Sequence, residues 1–266
     1  MHNCLILGCG RSGTSMVAGT LAGAGYFMGE RLLSSNRSNP KGFFEDTGIH
    51  AVNERILAPA TPWVPPRFRP GRVRLWLHRA FFRHKPGDGQ RWLARVPLGA
   101  SLGSSPKIDA CIRALTSRAP YCFKDPRFCY TLPVWRRWLG DTRFVCVFRD
   151  PTVSAASMVR EVATAPYLAN LKLDYDDCLD VWRSMYGHVL EIHCIEGQWL
   201  FLHYNQVLDG TGLDALARFL GASPDRSFPD PALRRTKPRG PVPEPVRAIY
   251  EELCRRAGKV ESKAEP

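Results

Sequence analysis

The sequence predicts an α/β fold: a three-layer sandwich in which helices cover both faces of a mostly parallel central sheet. Three observations carry this. Short apolar runs of strand length recur along the chain, and segments with helical spacing lie between them. The first run also ends in a glycine-rich turn that opens a helix, as a βαβ unit begins. With 266 residues, 44% of them hydrophobic, the chain can bury one large core, and a single domain over 1–266 accounts for its length. A charged share of 23% is too ordinary for a disordered chain.

The elements follow in order. CLILG (4–8) is apolar and ends in glycine, so it reads as a buried strand. The stretch after it keeps small and apolar residues at helical spacing until Gly23 and Gly25 stop it. Helical segments are predicted at 46–58, with Asp46 as the cap, and at 108–118. YCFK, ending at Lys124, is the second strand and RFVCVF (143–148) the third. Asp150 and Pro151 then suit the cap and first position of a helix over 152–163. A helix at 175–194 precedes a fourth strand, WLFLHY (199–204), and the helix LDALARFLG (213–221). A proline-rich, irregular tail from 223 to 245 leads to a last helix at 246–257.

The formal net charge of +12 is unevenly placed. Between Thr61 and Lys107 ten basic residues face Asp88 alone, so ten minus one puts nine of the twelve excess charges in that segment. Rich in proline, glycine and arginine, residues 61–107 read as a basic insertion or lid. Such a field attracts phosphate, sulfate, anionic lipid or nucleic acid without choosing among them. Within it, VRLWLHRAFFRH (73–84) sets Val73, Trp76, Leu77, Ala80 and Phe81 on one helical face beside Arg74, Arg79 and Arg83. A lid helix packed on the core explains that pattern. Peripheral contact with anionic lipid, or a collar for an anionic acceptor, is the sharper alternative. No groove-reading motif accompanies the charge, so a nucleic-acid partner is not expected.

None of the nine cysteines has the two-residue spacing of a zinc or redox motif, so reduced thiols in a reducing, cytoplasmic compartment are expected. No signal peptide is visible, and no run of apolar residues reaches membrane-spanning length.

The sharpest feature is Gly8-Cys9-Gly10-Arg11-Ser12-Gly13-Thr14-Ser15, between a strand and a helix. Such a loop wraps anionic oxygens with backbone N–H groups and aims a helix N-terminus at them. Against the triphosphate pattern G-x-x-x-x-G-K-[ST] it matches at Gly8, Gly13 and Ser15 but has Thr14 in place of the lysine. That lysine reaches the β- and γ-phosphates, so its absence argues against ordinary ATP or GTP use. Here the cation stands at Arg11 instead.

GxxRSGTS resembles the 5′-phosphosulfate-binding loop of the sulfotransferases that use 3′-phosphoadenosine 5′-phosphosulfate (PAPS), which share the P-loop-containing nucleotide-binding fold. The resemblance implies a second element, a strand ending in arginine with a serine eight residues on, both on the 3′-phosphate. Arg149 and Ser157 supply it. NPKGFFED (39–46), KDPRF (124–128) and LHYNQVL (202–208) resemble segments of the bacterial and carbohydrate-type members. RRTKPRG (234–240) is loosely similar to the family's C-terminal binding loop and makes Lys237 and Arg239 candidates there.

The resemblance implies transfer of a sulfuryl group from PAPS to an acceptor hydroxyl on a carbohydrate, lipid or secondary metabolite, with no metal required. Arg11 would stabilise the bridging oxygen, and the loop from Ser12 through Gly13 and Thr14 to Ser15 would hold the 5′-phosphate. Lys124 would help neutralise the sulfuryl group. Glu45 is the candidate general base, desolvated by Phe43 and Phe44, with His50 as the substitute. Asp125 and Arg127 suit a structural ion pair supporting Lys124. Two other readings compete: a P-loop small-molecule kinase, for which Asp150 is the nearest Mg²⁺-binding candidate, and a non-catalytic protein docking on membrane or polyanion.

Overall fold

A computed structural model describes residues 1–61, 85–233, 236 and 240–259. Its sheet has four parallel strands: β1 (Asn3–Leu7), β2 (Cys122–Lys124), β3 (Thr142–Phe148) and β4 (Gln198–His203), in the order β2-β1-β3-β4. Each predicted strand is present, shifted by a residue or two at its ends. Register runs Leu5 against Phe123 on one side and Phe144 on the other, with Cys146 facing Phe201 across β3 and β4.

Because alternate side chains leave opposite faces, the sheet builds two cores. Leu5, Leu7, Phe123, Cys146 and Phe148 pack on one face, while Cys4, Ile6, Cys122, Val145 and Val147 pack on the other. The second face is covered by α1 (Thr14–Ala22). The larger first face is covered by α2 (Thr47–Leu57), α3 (Pro106–Thr116), α4 (Phe128–Arg136), α5 (Pro151–Thr164) and α6 (Tyr175–His188). A short α7 (Tyr204–Leu208) and α8 (Thr211–Leu220) return to the α1 side, and α9 (Glu244–Arg256) closes the larger core. This is the three-layer α/β arrangement the sequence predicts.

The caps explain most boundaries. Asp46 accepts from the amides of Gly48 (2.8 Å) and Ile49 (3.1 Å) to start α2, and Asp150 accepts from Thr152 (2.8 Å) and Val153 (3.1 Å) beside Pro151 to start α5. Ser105 caps α3, which therefore begins two residues ahead of expectation. The helix expected over 175–194 ends at His188 and gives way to a wider turn over Val189–His193. The fourth strand stops at His203, whose side chain caps α7, so Tyr204 opens a helix instead of ending the strand.

α4 is absent from the sequence reading because it contains Pro133. Proline lacks the N–H that would bond the carbonyl of Cys129, four residues earlier. His193 supplies the missing partner: its Nε2 lies 2.9 Å from that carbonyl. The orphaned acceptor is thus satisfied from another element, and the helix persists.

Residues 85–107, the described part of the expected basic insertion or lid at 61–107, pack into the protein. Trp92, Leu93, Ala94 and Val96 are buried in the main core. Tyr130 donates to the carbonyl of Ala94 (2.8 Å) and Ser184 to that of Val96 (2.9 Å). Arg91 and Arg95 are not free basic charge either, since they pair with Glu54 and Asp88, and with Asp177 and Asp180. The amphipathic segment 73–84 lies outside the described residues, as do Lys237 and Arg239. All nine cysteines are free thiols. Among the described residues, no helix is long and apolar enough to cross a membrane.

Candidate active site

The chain reverses direction across the sheet between β1 and β3, and such a switch point opens a crevice at the strands' carboxyl ends. The glycine loop sits there. Gly8 has φ +146°, and a Cβ on it would meet the Val147 carbonyl oxygen at 2.1 Å, so β1 can turn beside β3 only with glycine. A Cβ on Gly10 would lie 2.5 Å from the Trp92 indole, which floors the loop. The amide of Cys9 donates to Tyr186 Oη (3.1 Å), and that hydroxyl donates to the Val147 carbonyl (2.7 Å).

The crest of the loop is strained. Arg11 has φ +69°, a conformation that residues with a side chain rarely adopt. Gly13, at φ +94°, precedes α1, and no side chain caps that helix start. Amides of an uncapped first turn are the donors an anion needs. Thr14 is buried with its methyl against Gly8, Ser15 is half-buried, and buried Ser12 pairs its hydroxyl with that of Ser154 (3.3 Å).

At the end of β3, Arg149 lies over the Tyr204 ring, 4.1 Å from its centroid. The same ring abuts Gly13, where a Cβ would lie 2.6 Å from it, so Tyr204 joins Arg149 to the loop. Ser157, two turns into α5, accepts from Arg11 Nε at 3.0 Å. The loop arginine and the serine from the second element are therefore brought together. Arg11 also donates to the Ser38 carbonyl (3.3 Å) and stands 3.8 Å from the Glu161 carboxylate.

The end of β2 provides the third group. Lys124 donates to Glu45, and both are buried. Glu45 reaches inward because the chain before it turns sharply at Gly42 (φ +101°) and Phe44 (φ +54°). Phe44 packs edge-on against Phe228, and Lys41 donates to the Phe228 carbonyl (2.6 Å), which fixes this segment against α1. The partner of Glu45 is thus an ammonium group, not the apolar enclosure expected from Phe43 and Phe44.

His50 lies elsewhere. Its Nε2 is 3.2 Å from Arg127 Nη2. A guanidinium can only donate, so that nitrogen accepts and the ring proton sits on Nδ1. The lone pair a base would use is occupied. Arg127 continues into a buried network with Asp125 (3.1 Å) and Glu54 (2.5 Å), and Glu54 also takes Arg91 Nη1 at 2.5 Å. Burial alone would raise the Asp125 carboxyl, but the charge and hydrogen bonds of Arg127 outweigh it and hold it below its ordinary value. Burial would likewise lower Arg127, yet Asp125, Glu54 and Glu45 lift it above its usual range. The expected Asp125–Arg127 pair is present and larger than expected.

Sequence reasoning missed Glu54, Glu161, Ser38 and Tyr204 as parts of this region. The two glutamates fall in amphipathic helices, where a charge ordinarily marks the solvated face. Only the tertiary contacts reveal them as buried.

A glycine loop opening a helix, cations and a buried carboxylate–ammonium pair are thus gathered at the carboxyl ends of three strands of an α/β fold. The chain belongs to the sulfotransferase family, whose model matches residues 4–223. Two solved structures share the fold. The sulfotransferase domain of the Synechococcus PCC 7002 olefin synthase has a TM-score of 0.52 at 16% identity, over 95% of this chain and 94% of that one. The sulfotransferase domain from the curacin biosynthetic pathway has a TM-score of 0.54 at 14% identity, over 95% and 97%. No curated protein sequence matches the chain.

Proposed function

We propose that the chain transfers a sulfuryl group from PAPS to the hydroxyl of an acceptor. The observation that supports this reading is the contact between Arg11 and Ser157, which brings the glycine loop and the helix after β3 side by side. A donor with phosphate at both ends of a nucleoside needs two such elements side by side. The residues suit it: close-packed glycines leave backbone amides at the loop, and Arg11, Arg149 and Lys124 supply positive charge from separate strands. Family membership and the missing loop lysine both weigh against the kinase reading.

Sulfuryl transfer requires the acceptor oxygen, the sulfur and the leaving phosphate oxygen in line, with charge stabilised on the leaving oxygen. In this reading the amides of Gly13, Thr14 and Ser15 hold the 5′-phosphate, while that of Ser12 donates to the Cys9 carbonyl (3.2 Å), and Arg11 neutralises the leaving side. Arg149 and Ser157 bind the 3′-phosphate. Glu45 takes the acceptor proton as the new O–S bond forms and the S–O bond to phosphate breaks. Lys124 aims Glu45 through their hydrogen bond, and offsets charge on the sulfuryl oxygens. His50 is not the base, because Arg127 occupies its acceptor nitrogen. Acceptor choice falls to the segment around residues 61–107, and a carbohydrate, lipid or secondary metabolite each presents a suitable hydroxyl.

Isothermal titration with 3′-phosphoadenosine 5′-phosphate, beside ATP with Mg²⁺, tests the donor. Micromolar binding of the bisphosphate with no response to ATP is expected. Tight ATP binding without the bisphosphate would sink the reading, and silence from both would favour a docking protein.

A further inference from the structure

A carboxylate inside an anion site is out of place unless it does something. Glu161 is such a group: 6% exposed, on α5, one turn beyond Ser157 and on the same side of the helix. Its ion-pair and hydrogen-bond partners among the described residues are Arg11, with Nη1 3.8 Å from Oε2, and the Ser38 hydroxyl, 3.0 Å from Oε1. Ser38 itself belongs to a tight turn in which Asn36 Oδ1 accepts from the Ser38 amide (2.9 Å), the Ser38 hydroxyl (2.8 Å) and the Asn39 amide (3.0 Å). One hydroxyl proton is therefore shared between Asn36 and Glu161, which leaves the carboxylate dependent on Arg11.

We propose that Glu161 is a positioning residue that acts through Arg11 to limit the grip of the site on its nucleotide, so that the bisphosphate product can leave. This rests on the donor reading above. Two physical effects act in the same direction. An anion at Ser157 feels the negative charge of Glu161 one helical turn away. An anion that draws Arg11 toward itself also strips a buried carboxylate of its compensating charge, and that cost is set against binding. The guanidinium cannot serve both partners fully, so Glu161 and the ligand compete for it, and their coupling is negative and reciprocal. A glutamine would keep the size and the Ser38 contact while removing the competing charge.

The signs separate this role from a structural one. Titrating wild type and Glu161→Gln with 3′-phosphoadenosine 5′-phosphate is expected to give at least about fivefold tighter binding in the variant, with slower release in stopped flow. Glu161→Asp, which keeps the charge, should remain near wild type. Ser38→Ala removes the other partner of the carboxylate, binds Arg11 more firmly to Glu161, and should weaken the bisphosphate. A residue that merely holds the fold together would give weaker or unchanged binding in Glu161→Gln, and that result overturns the proposal. Inorganic sulfate, titrated into the same proteins, reads the competition without the nucleotide. Sulfate tightening in Glu161→Gln while wild type ignores the bisphosphate would remove the donor reading and leave the role of Glu161 standing. Should Glu161→Gln fail to fold, unchanged or tighter binding in Ser38→Ala overturns the proposal by itself.

Discussion

The ammonium of Lys124 is hydrogen-bonded to the carboxylate of Glu45, and neither group is more than 8% exposed. Each justifies the burial of the other. Removing one leaves a charge without compensation inside the protein.

Glu45→Gln is therefore expected to lower turnover by about 10²–10⁴-fold, the range for loss of a general base, while bisphosphate affinity stays near wild type. Lys124→Met should destabilise the fold by about 3–5 kcal/mol, and Glu45→Gln, which strands the ammonium, should act in the same direction. Replacing both residues by leucine and methionine should be far less destabilising than Lys124→Met alone. Urea unfolding of the three variants, with turnover measured on those that fold, checks this. Equal destabilisation of the single and double variants would rule out a compensated pair.

Arg149→Ala is expected to weaken 3′-phosphoadenosine 5′-phosphate by about 10–100-fold, the worth of a charge-assisted contact, and to leave adenosine 5′-phosphate unchanged. Calorimetry with both nucleotides reads the difference. Equal losses would move Arg149 away from the 3′-phosphate.

Gly13→Ala forces a side chain into a left-handed backbone and drives a Cβ to within 2.6 Å of Tyr204, the seat of Arg149. A stability loss of about 1–3 kcal/mol is expected, together with weaker bisphosphate binding. Gly23→Ala is the control: φ is −84° and nothing lies within 4 Å of its Cβ position, so both quantities should hold. Thermal melts with and without nucleotide compare the two.

His193 makes stability depend on pH. Burial lowers its pKa from 6.5 to about 4, so the folded protein keeps the ring neutral. Above pH 6.5 the folded and unfolded chains are both neutral there, and the group contributes no pH dependence. As pH falls from 6.5 toward 4, the unfolded chain takes up the proton first, and about 3 kcal/mol of stability is lost. His193→Gln retains a donor for the Cys129 carbonyl and cannot titrate, so its urea midpoint should fall less steeply over that window. Parallel slopes would assign the acid sensitivity elsewhere.

Much of this molecule is legible where one local rule decides. Apolar runs mark the strands, Asp46 and Asp150 announce their helices, and the glycine spacing of 8–13 marks the loop. Legibility fails where distant residues decide. Pro133 argues against a helix until His193 arrives to satisfy the carbonyl it leaves. Trp92, Leu93 and Val96 have no periodicity, so a core segment reads as a lid. Nothing local distinguishes buried Glu54 and Glu161 from the solvated glutamates of other helices, such as Glu251. Tyr204 looks like the end of a strand because it follows the apolar run Trp199–Leu202, and the capping side chain of His203 reassigns it.

The Glu54 network bears on how this protein can diverge. Arg91 holds Thr61 through its Nε (2.9 Å) and Glu54 through its Nη1 (2.5 Å), while Gly89 donates its amide to the same carboxylate (3.0 Å). Thr61 and Gly89 are thus both tied to the buried Glu54–Arg91 pair. By loop-closure entropy alone, doubling the number of residues between those two points costs only about 0.6 kcal/mol. The tie therefore marks where the chain can tolerate a change of length, and a longer or shorter sequence between Thr61 and Gly89 is expected to leave the Glu54–Arg91 pair in place.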